Sequence, residues 1–134
     1  MTFRTALCYI NVNLNQKPFG RDDMEINEYQ DLAMRTLNEG ISKNDMLLNS
    51  VMGLCGESGE AIEILKKHIF HGRDLDRDHL IKELGDVAWY LAEAATALDI
   101  PLEEIFARNI EKLKARYPDG FSKERAINRA EDDI

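Results

Sequence analysis

The sequence predicts an all-α protein, a four-helix bundle preceded by a short strand-like extension at the amino terminus. From Met24 onward, apolar residues recur at the three- and four-residue intervals that put them on one face of a helix. Glycine, proline, serine and asparagine gather in short clusters between those stretches, where helices start and stop. Before Met24 the period changes: Ile10, Val12 and Leu14 alternate with Asn11, Asn13 and Asn15, the two-residue period of a strand.

The strand-like run, residues 9–15, ends at the turn-prone Lys17-Pro18-Phe19-Gly20. A single strand in a helical chain has no internal partner, so it either pairs across a subunit interface or forms a loosely held extension; Met24 offers an alternative start. The expected division is therefore an extension over 1–23 and a helical domain over 24–134. The first helix is expected over 27–38, with Tyr29, Leu32, Ala33, Thr36 and Leu37 on one side and Gly40 as its stop. A second helix begins after the capping residues Ser42-Lys43-Asn44 and reaches Phe70, followed by a loop at Gly72, Arg73 and Asp74. The third covers 76–98, with a broad apolar face of Leu80, Leu84, Val87, Ala88, Leu91, Ala94, Ala95 and Leu98. Pro101 suits the first turn of a fourth helix ending at Arg116, because its fixed φ is already helical and an N–H there would lack a partner. Tyr117-Pro118-Asp119-Gly120 ends that helix, and Ser122 caps a short tail helix through Asn128. The connections are short, so neighbouring helices are expected to pack antiparallel.

A chain of 134 residues is expected to form one domain, and its 44% hydrophobic and 31% charged content is that of a globular protein. No apolar run approaches the ~20 residues of a membrane helix, and no basic-then-apolar leader opens the chain, so no membrane partner is expected. Cys8 and Cys55 provide no disulfide framework, and a reducing cytoplasm is the expected compartment. The net charge of −8 argues against a nucleic-acid polymer, which requires a basic face. A nucleotide stays open, because carboxylates can hold the cation that its phosphates need.

Two carboxylate pairs carry the chemistry. Glu57 and Glu60 lie on the second helix and Glu83 and Asp86 on the third, each pair spaced so that both members share one face. Antiparallel packing could bring all four together, and an all-oxygen set suits a hard cation, Mg²⁺ or Mn²⁺. A di-iron bundle uses Glu-x-x-His pairs, and neither pair has its histidine. Acids three apart are common on solvated helix faces; the setting separates these from the rest. Glu57 and Glu60 sit among Gly53, Gly56 and Gly59, each costing about 1 kcal/mol relative to alanine in a helix, which implies a very close backbone or ligand. Glu83 and Asp86 flank Gly85 and run into the apolar Val87-Ala88-Trp89-Tyr90-Leu91.

Residues 27–129 resemble the MazG-like nucleotide pyrophosphohydrolases of the all-α NTP pyrophosphatase superfamily. The resemblance rests on Gly53-Leu54-Cys55-Gly56-Glu57-Ser58-Gly59-Glu60 and on Glu83-Leu84-Gly85-Asp86-Val87-Ala88-Trp89-Tyr90. It rests also on Asn109-Ile110-Glu111-Lys112-Leu113 with Arg116-Tyr117-Pro118-Asp119-Gly120-Phe121. It implies that Glu57, Glu60, Glu83 and Asp86 bind Mg²⁺, and that a nucleoside triphosphate is cut between its α- and β-phosphates to give the monophosphate and pyrophosphate. It implies substrate contact by Asn109 and Lys112, which share a face of the fourth helix. Lys66 or Lys67, two turns beyond Glu60, is expected to reach the phosphates, with Lys67 preferred and Arg116 a weaker candidate. Tyr90 shares the face of Asp86, where the resemblance implies that it stacks on a base; a core position is the alternative. Trp89 is assigned to the core or an interface, and His68 and His71 to the surface. A homodimer or homotetramer is expected, since a single short bundle leaves apolar faces to cover. The alternatives are a phosphoribosyl-ATP pyrophosphohydrolase of the same superfamily and a non-catalytic helical metal-binding oligomerisation module.

Overall fold

The computed structural model describes residues 24–128. The strand-like segment and the extension expected over 1–23 lie outside the described residues. Among those residues there is no strand; the fold is all-α, with α1 (Ile26–Met34), α2 (Lys43–His71), α3 (Arg77–Ala97), α4 (Leu102–Arg116) and a short α5 (Lys123–Ile127).

Local chemistry sets most helix ends. The Ser42 hydroxyl accepts from Asp45 N at 3.1 Å to open α2, and Gly72 closes that helix in the left-handed region at φ 64°. The Asp76 carboxylate accepts from His79 N at 3.0 Å to open α3, and Ser122 does the same for α5. The α3–α4 turn places Asp99 at φ 58°, with Ile100 N donating to Ala95 O at 3.1 Å, an aspartate in the place where helix ends usually take glycine. Its carboxylate pairs with Lys43 at the start of α2.

Tertiary contact overrides the expected end of the first helix. It stops at Met34 rather than Asn38, and three-residue bonds from Thr36 N to Ala33 O and Leu37 N to Met34 O tighten the last turn. The Trp89 indole of α3 donates to Ala33 O at 3.1 Å and to the Thr36 hydroxyl at 2.8 Å, tying that end to α3. Carbonyls left over at a helix end have thereby found a side-chain donor.

Helix α3 is the hub, touched by α1, α2 and α4. Alanines let its neighbours approach closely: Ala92 and Ala95 are fully buried with Leu102, and Tyr29, Ala33, Met34, Leu91, Ile100 and Ile105 pack around them. Gln30 joins α1 to the α3–α4 turn, accepting from Leu102 N at 2.7 Å and donating to Thr96 Oγ1 and Ile100 O. Asn27 extends the same join to Glu103. Leu84 and Leu98, expected on the buried face of the third helix, are instead more than half exposed. Leu91, between them on the same stripe, packs on the core, so the described partners of α3 leave only the two ends of the stripe, Leu84 and Leu98, open.

Helices α2 and α3 run antiparallel. Lys43 meets Asp99, Asn49 meets Glu93, Gly53 meets Tyr90 and Glu57 meets Glu83, so one register holds along the pair. Gly53 is where the close approach expected at the glycines occurs: an added Cβ would lie 2.2 Å from Tyr90 Cε1. At Gly56 and Gly59 a Cβ would meet no described protein atom within 4 Å, so the expectation of a close backbone is corrected at those two positions. Gly53→Ala is accordingly expected to lose up to about 2 kcal/mol, an overpacking cost of about 1–3 partly offset by better helix propensity. Gly56→Ala is expected to gain up to about 1 kcal/mol in the same metal-free thermal melts. Equal gains at both positions would show that the Tyr90 ring moves aside freely.

Candidate functional site

The α2–α3 register brings together carboxylates that are far apart in sequence. Glu57 and Glu60 project from successive turns of α2 toward Glu83 of α3, and one carboxylate oxygen from each lies within 4.8 Å of the others. Glu83 is 6% exposed, Glu57 is half-buried and Glu60 is exposed, so the group has a closed end and an open one. Asp86 lies outside this tight group, but its charge reaches both Glu57 and, on α1, Tyr29. His79, one turn before Glu83, places Nε2 2.6 Å from Glu83 Oε1 and anchors the buried acid from its own helix.

Crowding sets the electrostatics. Desolvation first, then the negative charges of Glu60, Asp86 and Glu83, and a hydrogen bond with Glu83 all raise the Glu57 carboxyl above its ordinary value of 4.5. Burial and the charge of Asp86 push the Tyr29 phenol up as well. An all-oxygen, mutually repelling set of this kind can hold a hard divalent cation.

Lys66 pairs with Glu63, and Lys67 Nζ lies 3.8 Å from the other oxygen of the same carboxylate. The hydrogen bond from Lys66 leads in holding Glu63 below the usual carboxylate range. Both lysines are thus turned to Glu63 on their own helix. Tyr90 is half-buried on Gly53, edge-on to Trp89 with ring centroids 5.1 Å apart. Asn109 and Lys112 are exposed on α4, which packs against α1 and α3. His68 Nδ1 meets Arg73 O at 2.7 Å beyond the end of α2.

Sequence reasoning passed over His79, Asn49 and Glu93. Glu93 is 0% exposed, and Asn49 Nδ2 donates to both of its oxygens at 3.0 Å. Its signal was present: a lone acid within Leu91-Ala92-Glu93-Ala94-Ala95, one face-repeat beyond Asp86.

The raised pKa of Glu57 has a direct consequence for stability. Because the folded state binds the Glu57 proton more tightly than the unfolded chain does, Glu57 lowers stability increasingly as pH rises above 4.5 through its folded value. In EDTA, Glu57→Gln is expected to melt at or above wild type at neutral pH, with the difference shrinking as pH falls toward 4.5. A variant that melts below wild type at neutral pH would show that the carboxylate is stabilising there.

Comparison with known proteins agrees with this architecture. The MazG nucleotide pyrophosphohydrolase domain matches residues 47–121, a span that contains Glu57, Glu60, Glu83, Asp86, Asn109 and Lys112. The gene 37 protein of Mycobacterium phage L5 is 41% identical over 85 residues, covering 58% of this chain and 72% of that protein. No solved structure gives a significant match. With more than half of its length in the matched span and an all-α fold around paired acids, the chain belongs to the MazG nucleotide pyrophosphohydrolase domain family.

Proposed function

We propose that the chain is a Mg²⁺-dependent nucleoside triphosphate pyrophosphohydrolase that cuts between the α- and β-phosphates. The observation that carries this reading is the convergence of Glu57, Glu60 and Glu83 within 4.8 Å, inside the matched span. The donor set is entirely carboxylate oxygen, which fits Mg²⁺, with Mn²⁺ as a substitute. When bound, such a cation neutralises phosphate charge and makes a water it holds more acidic.

The chain's own residues divide the remaining work. Glu57, Glu60 and Glu83 hold the cation, and Asp86 completes the negative field as the fourth acid. His79 keeps Glu83 oriented, the role that outer partners play for ligating carboxylates. Glu60, the exposed member, accepts the proton of the attacking water. The water oxygen bonds to the α-phosphorus as the bridging α–β bond breaks, and that bond's electron pair leaves with pyrophosphate. Tyr90 offers a ring beside the cluster for the nucleoside. Asn109 and Lys112 contact phosphates, while Lys67 can do so only in competition with Glu63.

We also propose a homo-oligomer, a dimer or tetramer. Val51 and Ile62 of α2 and Ile81 and Leu84 of α3 are each more than half exposed, which is unusual for an isolated small domain. None of the described helices is long and apolar enough to cross a membrane, so a second copy is the cover proposed for these faces.

Two measurements test these readings. With a nucleoside triphosphate and Mg²⁺, wild type is expected to release pyrophosphate and monophosphate, and EDTA to stop it. Glu60→Gln should lower the rate by about 100-fold or more and diminish the melting shift given by Mg²⁺. Release of inorganic phosphate and a diphosphate, or undiminished turnover in Glu60→Gln, would overturn the assignment. Sedimentation at micromolar concentration is expected to show a dimer or larger, and Ile81→Glu to dissociate it; an active monomer would refute the oligomer.

A further inference from the structure

Helix α2 runs for 29 residues and uses two opposite sides. One side meets α3 through Asn49, Gly53 and Glu57. The other carries Leu48, Val51, Cys55, Ser58, Ile62 and Leu65, at alternating steps of three and four residues. At about 100° of turn per residue these six fall in one narrow band along the helix. A strict alternation of this kind is the pattern of a coiled coil; a helix that packs only on its own core shows a broader apolar face. Leu48 is 60% exposed, Val51 52% and Ile62 61%, so the described protomer leaves the row open.

The order of residues in the row indicates what covers it. Reversed and laid against itself, with the two helices level between residues 56 and 57, it sets Leu48 against Leu65, Val51 against Ile62 and Cys55 against Ser58. Large apolar side chains then meet at both ends and the two small ones in the middle. Gly59, where an added Cβ meets no described atom within 4 Å, stands beside that small pair and lets the backbones approach. Charge favours the same arrangement. The exposed Asp45, near the start of one helix, comes within one turn of Lys66 and Lys67 near the end of the other. In a parallel pair each of these charges would stand beside its own kind. A second copy of this chain supplies both the apolar match and the charge match.

We infer that two copies pair antiparallel through this side of α2, as a short coiled coil. The inference rests on the oligomer proposed above and identifies one of its contacts. Ile81 and Leu84 belong to α3, so the two contacts together close a tetramer of two-fold pairs. The row lies across α2 from Gly53 and Glu57, and the pairing therefore leaves the acids open.

Disulfide trapping in the full chain, with Cys8→Ser and Cys55→Ser as background, tests the register. Positions 51 and 62 lie about 16 Å apart along one helix, beyond the roughly 7 Å that a disulfide spans between Cα atoms, so a link between them joins two chains. Val51→Cys combined with Ile62→Cys is expected to give a covalent dimer on mild oxidation. Either substitution alone is expected to stay unlinked, because an antiparallel pair keeps identical positions far apart. As a second measure, Ile62→Glu is expected to sediment at half the mass of wild type with its helical circular dichroism kept. Ile62→Glu together with Ile81→Glu is expected to sediment as a monomer. Covalent dimers from the single substitutions, none from the double, or Ile62→Glu at the wild-type mass overturns the inference. An oligomeric wild type whose double variant gives no link sinks this pairing and leaves the oligomer standing. A monomeric wild type overturns both.

Discussion

The contact of the Tyr90 ring with the bare backbone of Gly53 fixes how the polar groups along the α2–α3 seam face one another. Two antiparallel helices can slide past each other in steps, and a slip of one residue rotates a helix face by about 100°. Only a glycine admits the ring at that level, so the seam has one register in which α2 and α3 approach closely. That register sets Glu57 and Glu60 against Glu83 on one side of the contact and Asn49 against Glu93 on the other. The carboxylate cluster and the buried hydrogen bond of Asn49 with Glu93 are thus two consequences of one packing constraint.

The same seam is where the molecule carries electrostatic cost. Carboxylates crowd together at one end, where burial and neighbouring charge push the Glu57 pKa above its ordinary value, and the Glu93 side chain is fully buried at the other. Opposing these costs is a core of modest size, in which alanines of α3 replace the larger side chains of a typical bundle. Helix α1 is held substantially by polar joins: Gln30 and Asn27 serve the start of α4, and Trp89 serves the end of α1 itself. Each join satisfies backbone groups that helix ends leave without partners, so it stabilises by avoiding a desolvation loss. A cation held at the acids would add to stability, because a ligand stabilises only the state that binds it.

Position along the seam also separates the two aromatic neighbours. Tyr90 and Trp89 are adjacent in sequence, yet helical geometry turns their side chains about 100° apart. Tyr90 goes to the α2 seam, while Trp89 reaches toward α1.

Local chemistry was legible in the sequence. Ser42, Gly72, Asp76 and Ser122 act at helix ends within a few residues of where they stand, so those ends could be read without knowing any neighbour. The pairing of Glu57 with Glu60 and of Glu83 with Asp86 on shared faces follows from helical spacing alone, as does the all-α class. Tertiary structure decided the rest. It determined that Gly53, and not Gly56 or Gly59, meets a neighbour, that Lys66 and Lys67 turn to Glu63, and that Leu84 stays open. It also converted Glu93, an acid among alanines, into a buried acceptor beside Asn49, 44 residues away. Periodicity states which residues share a face of a helix; which face is covered, and by what, depends on the register between helices, and that is set by contacts between residues far apart in the chain.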